Sequence, residues 1–251
     1  LIFSPHLQDD RMYVECVESL TPVDMMNLGS GIHDATGHCV WTGAFLLVDA
    51  LPQLETLVGG TRVLELGCGT GLGGIALLKS RRAPPAFVAL SDGDPDALQV
   101  CLRNCQHNEL SEGSHGVLEL MWGNKLLAPD FDVVLATDVL YDIGLLPPLF
   151  QTATDSNAGV FILSHVPRAC YSSDCPPVDN LEDYIVQQAS GFGWELEQQI
   201  RPEQLEEASA RKPAKALNDV SLEEMSSIGA SIFIFRLPVK SGNKAEEGET
   251  F

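Results

Sequence analysis

The sequence predicts an α/β fold: a doubly wound, mostly parallel, seven-stranded Rossmann-like sheet behind an N-terminal extension that carries a hairpin. Three observations predict it. Short apolar runs of strand length alternate with segments of helical period, which implies a parallel sheet covered on both faces. The first run breaks into a glycine-rich loop, Glu65-Leu66-Gly67-Cys68-Gly69-Thr70-Gly71, and the chain then enters a helix. The second run ends on a carboxylate, Asp92.

Leu1 to about Gly31 reads as polar and irregular, and Ile32 to Trp41 as a short hairpin turning at Thr36–Gly37. From Thr42 to Leu57, Ala44, Leu47, Val48, Leu51 and Leu54 recur at helical spacing. Val63 to Leu66 is the first strand of the sheet. A helix from about Leu72 to Ser80 follows it and stops before Pro84–Pro85. Phe87 to Leu90 is the second strand. Pro95 then opens a helix, since a first turn accepts proline, and Leu98, Cys101, Leu102 and Cys105 form its apolar stripe.

Val117 to Trp122 and Val133 to Ala136 are the third and fourth strands. A helix from Leu145 to about Thr154 leads to a fifth strand, Val160 to Leu163. Another, from Leu181 to Ala189, leads to strands near Trp194–Ile200 and Ser231–Leu237. The chain thus divides into an extension (1–41) and a sheet domain (42–238), with a polar insertion at 201–227. The charged tail, 239–251, is expected to be disordered.

A chain of 251 residues makes one well-cored domain, and its 45% hydrophobic and 20% charged content excludes global disorder. No apolar run reaches membrane-span length, so no membrane partner is expected. The chain opens on Leu1, so the lack of a targeting signal carries no information. A net charge of −20 repels phosphate backbones and attracts basic partners, although a surface kept acidic for solubility explains it about as well. The seven cysteines include no Cys-x-x-Cys pair, so neither a metal site nor a disulfide framework is expected. Reduced thiols suit the cytoplasm or nucleus, and a monomer is expected.

Glycines in the loop let the backbone turn sharply and let a ligand approach without a Cβ in the way. The spacing is not that of dinucleotide binders, because Gly71 follows Gly69 by two positions rather than three. Glu65 also precedes the first glycine by two. Asp92 closes the second strand where a carboxylate can accept both ribose hydroxyls of a nucleoside. Its setting before Gly93 and Pro95 also permits a plain turn aspartate, and Asp94 is the alternative ribose acid.

With Asp138-Val139-Leu140-Tyr141 after the fourth strand, the sequence resembles methyltransferase family 16 of the seven-β-strand, S-adenosylmethionine (SAM)-dependent class. That family consists mostly of protein-lysine methyltransferases. The likeness runs from Val40 to about Leu163. Its marks are Val40-Trp41, Glu65 to Gly71, Ser91-Asp92, Trp122-Gly123 and the Asp-x-x-Tyr signature just quoted.

The resemblance implies SAM as cofactor, with Glu65 in the binding motif and Gly67, Cys68 and Gly69 wrapping its methionine and ribose. Trp41 then flanks the cofactor, Asp92 holds the ribose, Trp122 lies against the adenine, and Thr137 lines the site. Asp138 and Tyr141 face the methyl and the acceptor. The implied reaction is methylation of a lysine on a non-histone protein with a basic surface; nucleic acid does not fit. A protein-histidine or other N-methyltransferase, or a SAM-binding module without catalysis, are the alternatives.

Three departures stand out: Met121 where the family commonly has Asp or Thr, Cys68 for a frequent alanine, and Ser164-His165-Val166-Pro167-Arg168, which matches no subfamily. A lysine of pKa near ~10 must lose a proton before attack. A carboxylate beside it favours the ammonium, so Asp138 is expected to orient the amine rather than deprotonate it. His165 reads as structural.

Overall fold

The computed structural model describes residues 1–17, 35–126, 130–167, 180–206 and 219–238. A short antiparallel pair, β1 (Ile2–Phe3) and β2 (Arg11–Met12), comes first. Helix α1 (Thr42–Val58) leads into β3 (Arg62–Leu66), α2 (Leu72–Leu78), β4 (Phe87–Asp92), α3 (Pro95–His107) and β5 (His115–Glu119). Then follow β6 (Val133–Thr137), α4 (Leu146–Asp155), β7 (Val160–His165), α5 (Leu181–Gly191), β8 (Glu195–Ile200), α6 (Leu222–Ser227) and β9 (Ser231–Arg236).

Seven of the strands form one sheet in the order β5-β4-β3-β6-β7-β9-β8. All are parallel except β9, which runs antiparallel between β7 and β8. This is the expected doubly wound, mostly parallel sheet. Strand order reverses between β3 and β6; in open sheets of this kind such a reversal leaves a crevice beyond the carboxyl ends of the strands.

The strands form as they do because both of their faces are covered. Every residue of β6 and β7 is buried, so these runs read as continuous apolar segments rather than alternating ones. On one face Phe45, Leu46, Leu47, Ile75, Leu77 and Leu98 from α1, α2 and α3 pack against the sheet. On the other, Phe150 meets Phe161 and Phe235 edge-on at 5.5 and 5.7 Å. Trp194 joins that layer and satisfies its indole N–H on Thr154 Oγ1 at 3.0 Å.

Two local expectations change. The hairpin expected over Ile32–Trp41 is not formed in its described part: Ala35–His38 makes one 3₁₀ turn, while positions 32–34 lie outside the described residues. The cause is local closure. The Cys39 N–H donates to the Thr36 carbonyl at 3.2 Å and Trp41 Nε1 donates to the same oxygen at 3.0 Å, which curls the chain instead of reversing it. The antiparallel pair occurs earlier, as β1 and β2, whose two-residue strands are too short to show a period.

The third strand is also displaced. It ends at Glu119, so Trp122 stands in the turn beyond it. The tail, 239–251, and the centre of the 201–227 insertion, 207–218, lie outside the described residues. The rest of that insertion contains a 3₁₀ turn at Pro202–Gln204 and α6, whose start Ser221 and Glu224 cap reciprocally.

Candidate functional site

The crevice floor is the loop between β3 and α2. Gly67 and Gly69 have φ of 70° and 50°, in the left-handed region that favours glycine. Space demands glycine as well. A Cβ on Gly67 would lie 2.8 Å from Val139 Cγ1 and 3.0 Å from Trp122 Cζ2, and one on Gly69 would lie 2.9 Å from the Gly37 carbonyl oxygen. The loop is thus walled by Val139 and Trp122 on one side and by the 3₁₀ turn on the other.

Asp92 ends β4 and reaches this loop: its Oδ2 accepts the Gly69 N–H at 2.8 Å and its Oδ1 the Asp94 N–H at 3.0 Å. Burial raises its carboxyl above the ordinary range, against the lowering effect of the Asp94, Gly69 and Gly93 N–H groups. Asp94 serves a different purpose. It caps α3 by accepting the Asp96 N–H at 2.9 Å, and it faces His38 Nε2 at 3.5 Å.

Glu65 lies behind the loop, without exposed surface. Its Oε2 accepts the Gly74 N–H at 2.9 Å and its Oε1 accepts the Thr137 hydroxyl at 3.3 Å. Burial pushes its carboxyl up to about 8, partly opposed by those two contacts and reinforced by Asp92. Expected among the cofactor-binding residues, Glu65 here braces the loop from behind. Cys68 is buried and donates its N–H to the Ser91 carbonyl at 2.8 Å, and the Cys101 thiol fills the space beside Gly71.

Across the crevice β6 ends at Thr137, and Asp138 follows with φ of 58°. Aspartate tolerates this left-handed conformation better than most residues. Asp138 is buried; its N–H donates to the Ser164 carbonyl at 2.8 Å, and its Oδ2 accepts the Gly43 N–H at 2.8 Å. Gly43 lies in the first turn of α1, where backbone N–H groups favour an acceptor.

Trp41 stands at the head of α1 and is half-buried, as is Trp122 against the loop. Val139 and Leu140 turn inward while Tyr141 stays 37% exposed. Met121, 57% exposed, lays its sulfur over Gly93. His165 is wholly buried at the end of β7.

The structure thus brings Gly67, Gly69, Asp92 and Trp122 together around the loop, sets Glu65 and Thr137 behind it, and turns the Asp138 carboxylate onto the first turn of α1. Gly43 and Ser164 belong to the same arrangement, and nothing in the sequence pattern marks them. Among the described residues no group of His, Cys, Asp and Glu could hold a metal ion.

Comparison with known proteins adds to this geometry. A family model described as lysine methyltransferase matches residues 21–168. The protein-lysine N-methyltransferase EFM3 of Chaetomium thermophilum is 33% identical over 127 residues, covering 47% of this chain and 37% of its own length. The protein N-lysine methyltransferase METTL21A of Danio rerio is 34% identical over 143 residues, covering 54% and 62%. The histone-arginine methyltransferase METTL23 of Homo sapiens is 35% identical over 132 residues, covering 50% and 63%. The matches therefore span less than two thirds of each of these relatives. Among solved structures, the cyclase SpnF shares the fold with a TM-score of 0.55 at 14% identity, covering 91% of this chain and 100% of that one.

Proposed function

We propose a reaction from one premise: the chain belongs to the lysine methyltransferase family whose model matches its residues 21–168. The reaction is transfer of a methyl group from SAM to the side-chain nitrogen of a lysine on a non-histone protein. The observation that carries it is the pairing of a glycine cradle with a carboxylate at the reversal of strand order. Asp138 follows β6, the hydrogen-bonded neighbour of the strand that feeds the loop, and the next residue, Val139, packs against Gly67.

The residues present fit the cofactor. The cradle closes so tightly around Gly67 and Gly69 that no Cβ fits there, which keeps the loop's bare backbone available, and Asp92 offers a carboxylate for ribose hydroxyls at the end of β4. Gly67 and Gly69 would hold the methionine and ribose portion, and Trp122 would cover the base. Bound SAM supplies an electrophilic methyl carried on a sulfonium.

The protein's own residues would hold the amine in line, which is most of what a displacement needs. A carboxylate has roughly four acceptor positions, so Asp138 can keep the Gly43 N–H and still accept from an amine. The acceptor's proton leaves to water. Tyr141, three residues after Asp138 and 37% exposed, would present an aromatic face to the cation. The relatives named for lysine support that acceptor. METTL23, named for arginine, is matched over a similar span and supports a second reading, another side-chain nitrogen.

Comparing Asp138→Ala with Asp138→Asn tests the assignment. Asparagine can still accept the Gly43 N–H but carries no charge. Both variants are expected to retain SAM binding and to lose about two decades of turnover, or about 2.7 kcal/mol of transition-state stabilisation. Near-normal turnover in Asp138→Asn would remove the charge argument and move the acceptor to a neutral nucleophile.

A further inference from the structure

Ser164 is fully buried in β7, in register with Thr137 of β6 and so beside Asp138. Its hydroxyl donates to the Gly43 carbonyl at 2.6 Å, while its own carbonyl accepts the Asp138 N–H at 2.8 Å. Asp138 Oδ2 accepts the Gly43 N–H at 2.8 Å, which closes a ring of three contacts.

The ring draws on three separate parts of the chain: the first turn of α1, the end of β6 and the end of β7. Gly43 can take part only as glycine, because a Cβ there would lie 2.8 Å from Asp138 Cβ. It stands two residues after Trp41, so the ring fixes where α1 begins and with it the position of Trp41 at the helix head. The ring also holds Asp138 in a left-handed conformation, which persists where surrounding contacts enforce it.

We propose that Ser164 is a positioning residue for methyl transfer: through Gly43 and Asp138 it locks the head of α1 to the acceptor side of the crevice. This rests on the methyltransferase reading above. Without the Ser164 hydroxyl the Gly43 carbonyl can still accept the helix's own N–H four residues on, so the fold survives. What is lost is the tie between helix and strand, and catalysis is sensitive to such small displacements.

The test uses the whole chain as wild type, Ser164→Ala, Gly43→Ala and the double variant. Calorimetric titration with S-adenosylhomocysteine counts competent sites, and tritiated SAM with a heat-treated cell lysate gives the rate of label transfer per site. Ser164→Ala is expected to bind S-adenosylhomocysteine as wild type does and to turn over about tenfold more slowly per site. Gly43→Ala is expected to behave alike, and the double variant to be little slower than the worse single, because both open the same ring.

A merely structural role would reduce the number of sites and leave the rate per site unchanged; that result overturns the proposal, as does an affinity loss in step with the rate. If Ser164→Ala yields no folded protein, Gly43→Ala alone decides by the same criteria. A wild type that transfers no label ends the methyltransferase reading and the positioning role with it. An active wild type with an unaltered Ser164→Ala rate rejects the positioning role alone.

Discussion

At the scale of single residues, two neighbouring aspartates show how position separates chemistry. Asp92 and Asp94 lie two apart, yet only Asp92 bonds the glycine loop, while Asp94 caps α3. Asp92→Ala is therefore expected to weaken SAM binding by about 1.5–3 kcal/mol, the range for a charged hydrogen-bond partner. Asp94→Ala should lower the melting temperature through a lost cap and leave SAM affinity as it is. Calorimetry and thermal unfolding on both variants read this directly. The reverse pattern would make Asp94 the ribose acid. Asp92 is legible from the sequence because strand two and its terminating acid are contiguous. The Asp138–Gly43–Ser164 ring is not, because its hydrogen bonds join residues 95 and 121 positions apart.

Between elements, Glu65 is the tie that matters most. From β3 it accepts an N–H of α2 and the hydroxyl of Thr137 in β6, so three elements meet on one buried carboxyl. Its pKa in the folded chain, about 8, lies above the ordinary value of 4.5, so folding favours the protonated form. The stability it contributes is complete below pH 4.5 and is lost as pH rises through about 8. Glu65→Gln keeps a neutral group of the same shape. It is expected to flatten the fall of melting temperature between those limits, leaving a smaller slope of the same sign from Asp92. An undiminished slope in Glu65→Gln would mean that another group titrates. The glycines and the buried acid in strand one are plain in the sequence. That the acid turns behind the loop rather than into the crevice is set by the close approach of Gly73 and Gly74, a tertiary fact.

For the molecule as a whole, alternation of apolar runs with helical period was enough to expect the sheet, its seven strands and the crevice at its reversal. The antiparallel insertion of β9 between β7 and β8 cannot be read that way, since burial pattern carries no strand direction. Nor can the 3₁₀ turn at Ala35–His38, which long-range contact with Gly69 holds over the loop. A net charge of −20 agrees with a basic protein partner and leaves its identity open. The measurement that reaches the central claim most directly is mass spectrometry of a heat-treated lysate incubated with this chain and SAM bearing a deuterated methyl group. The account predicts the heavy methyl on lysine side chains of non-histone proteins, reduced about a hundredfold in initial rate when Asp138→Ala replaces the wild type. Heavy methyl on arginine or histidine instead, or on nothing while SAM still binds, would contradict it.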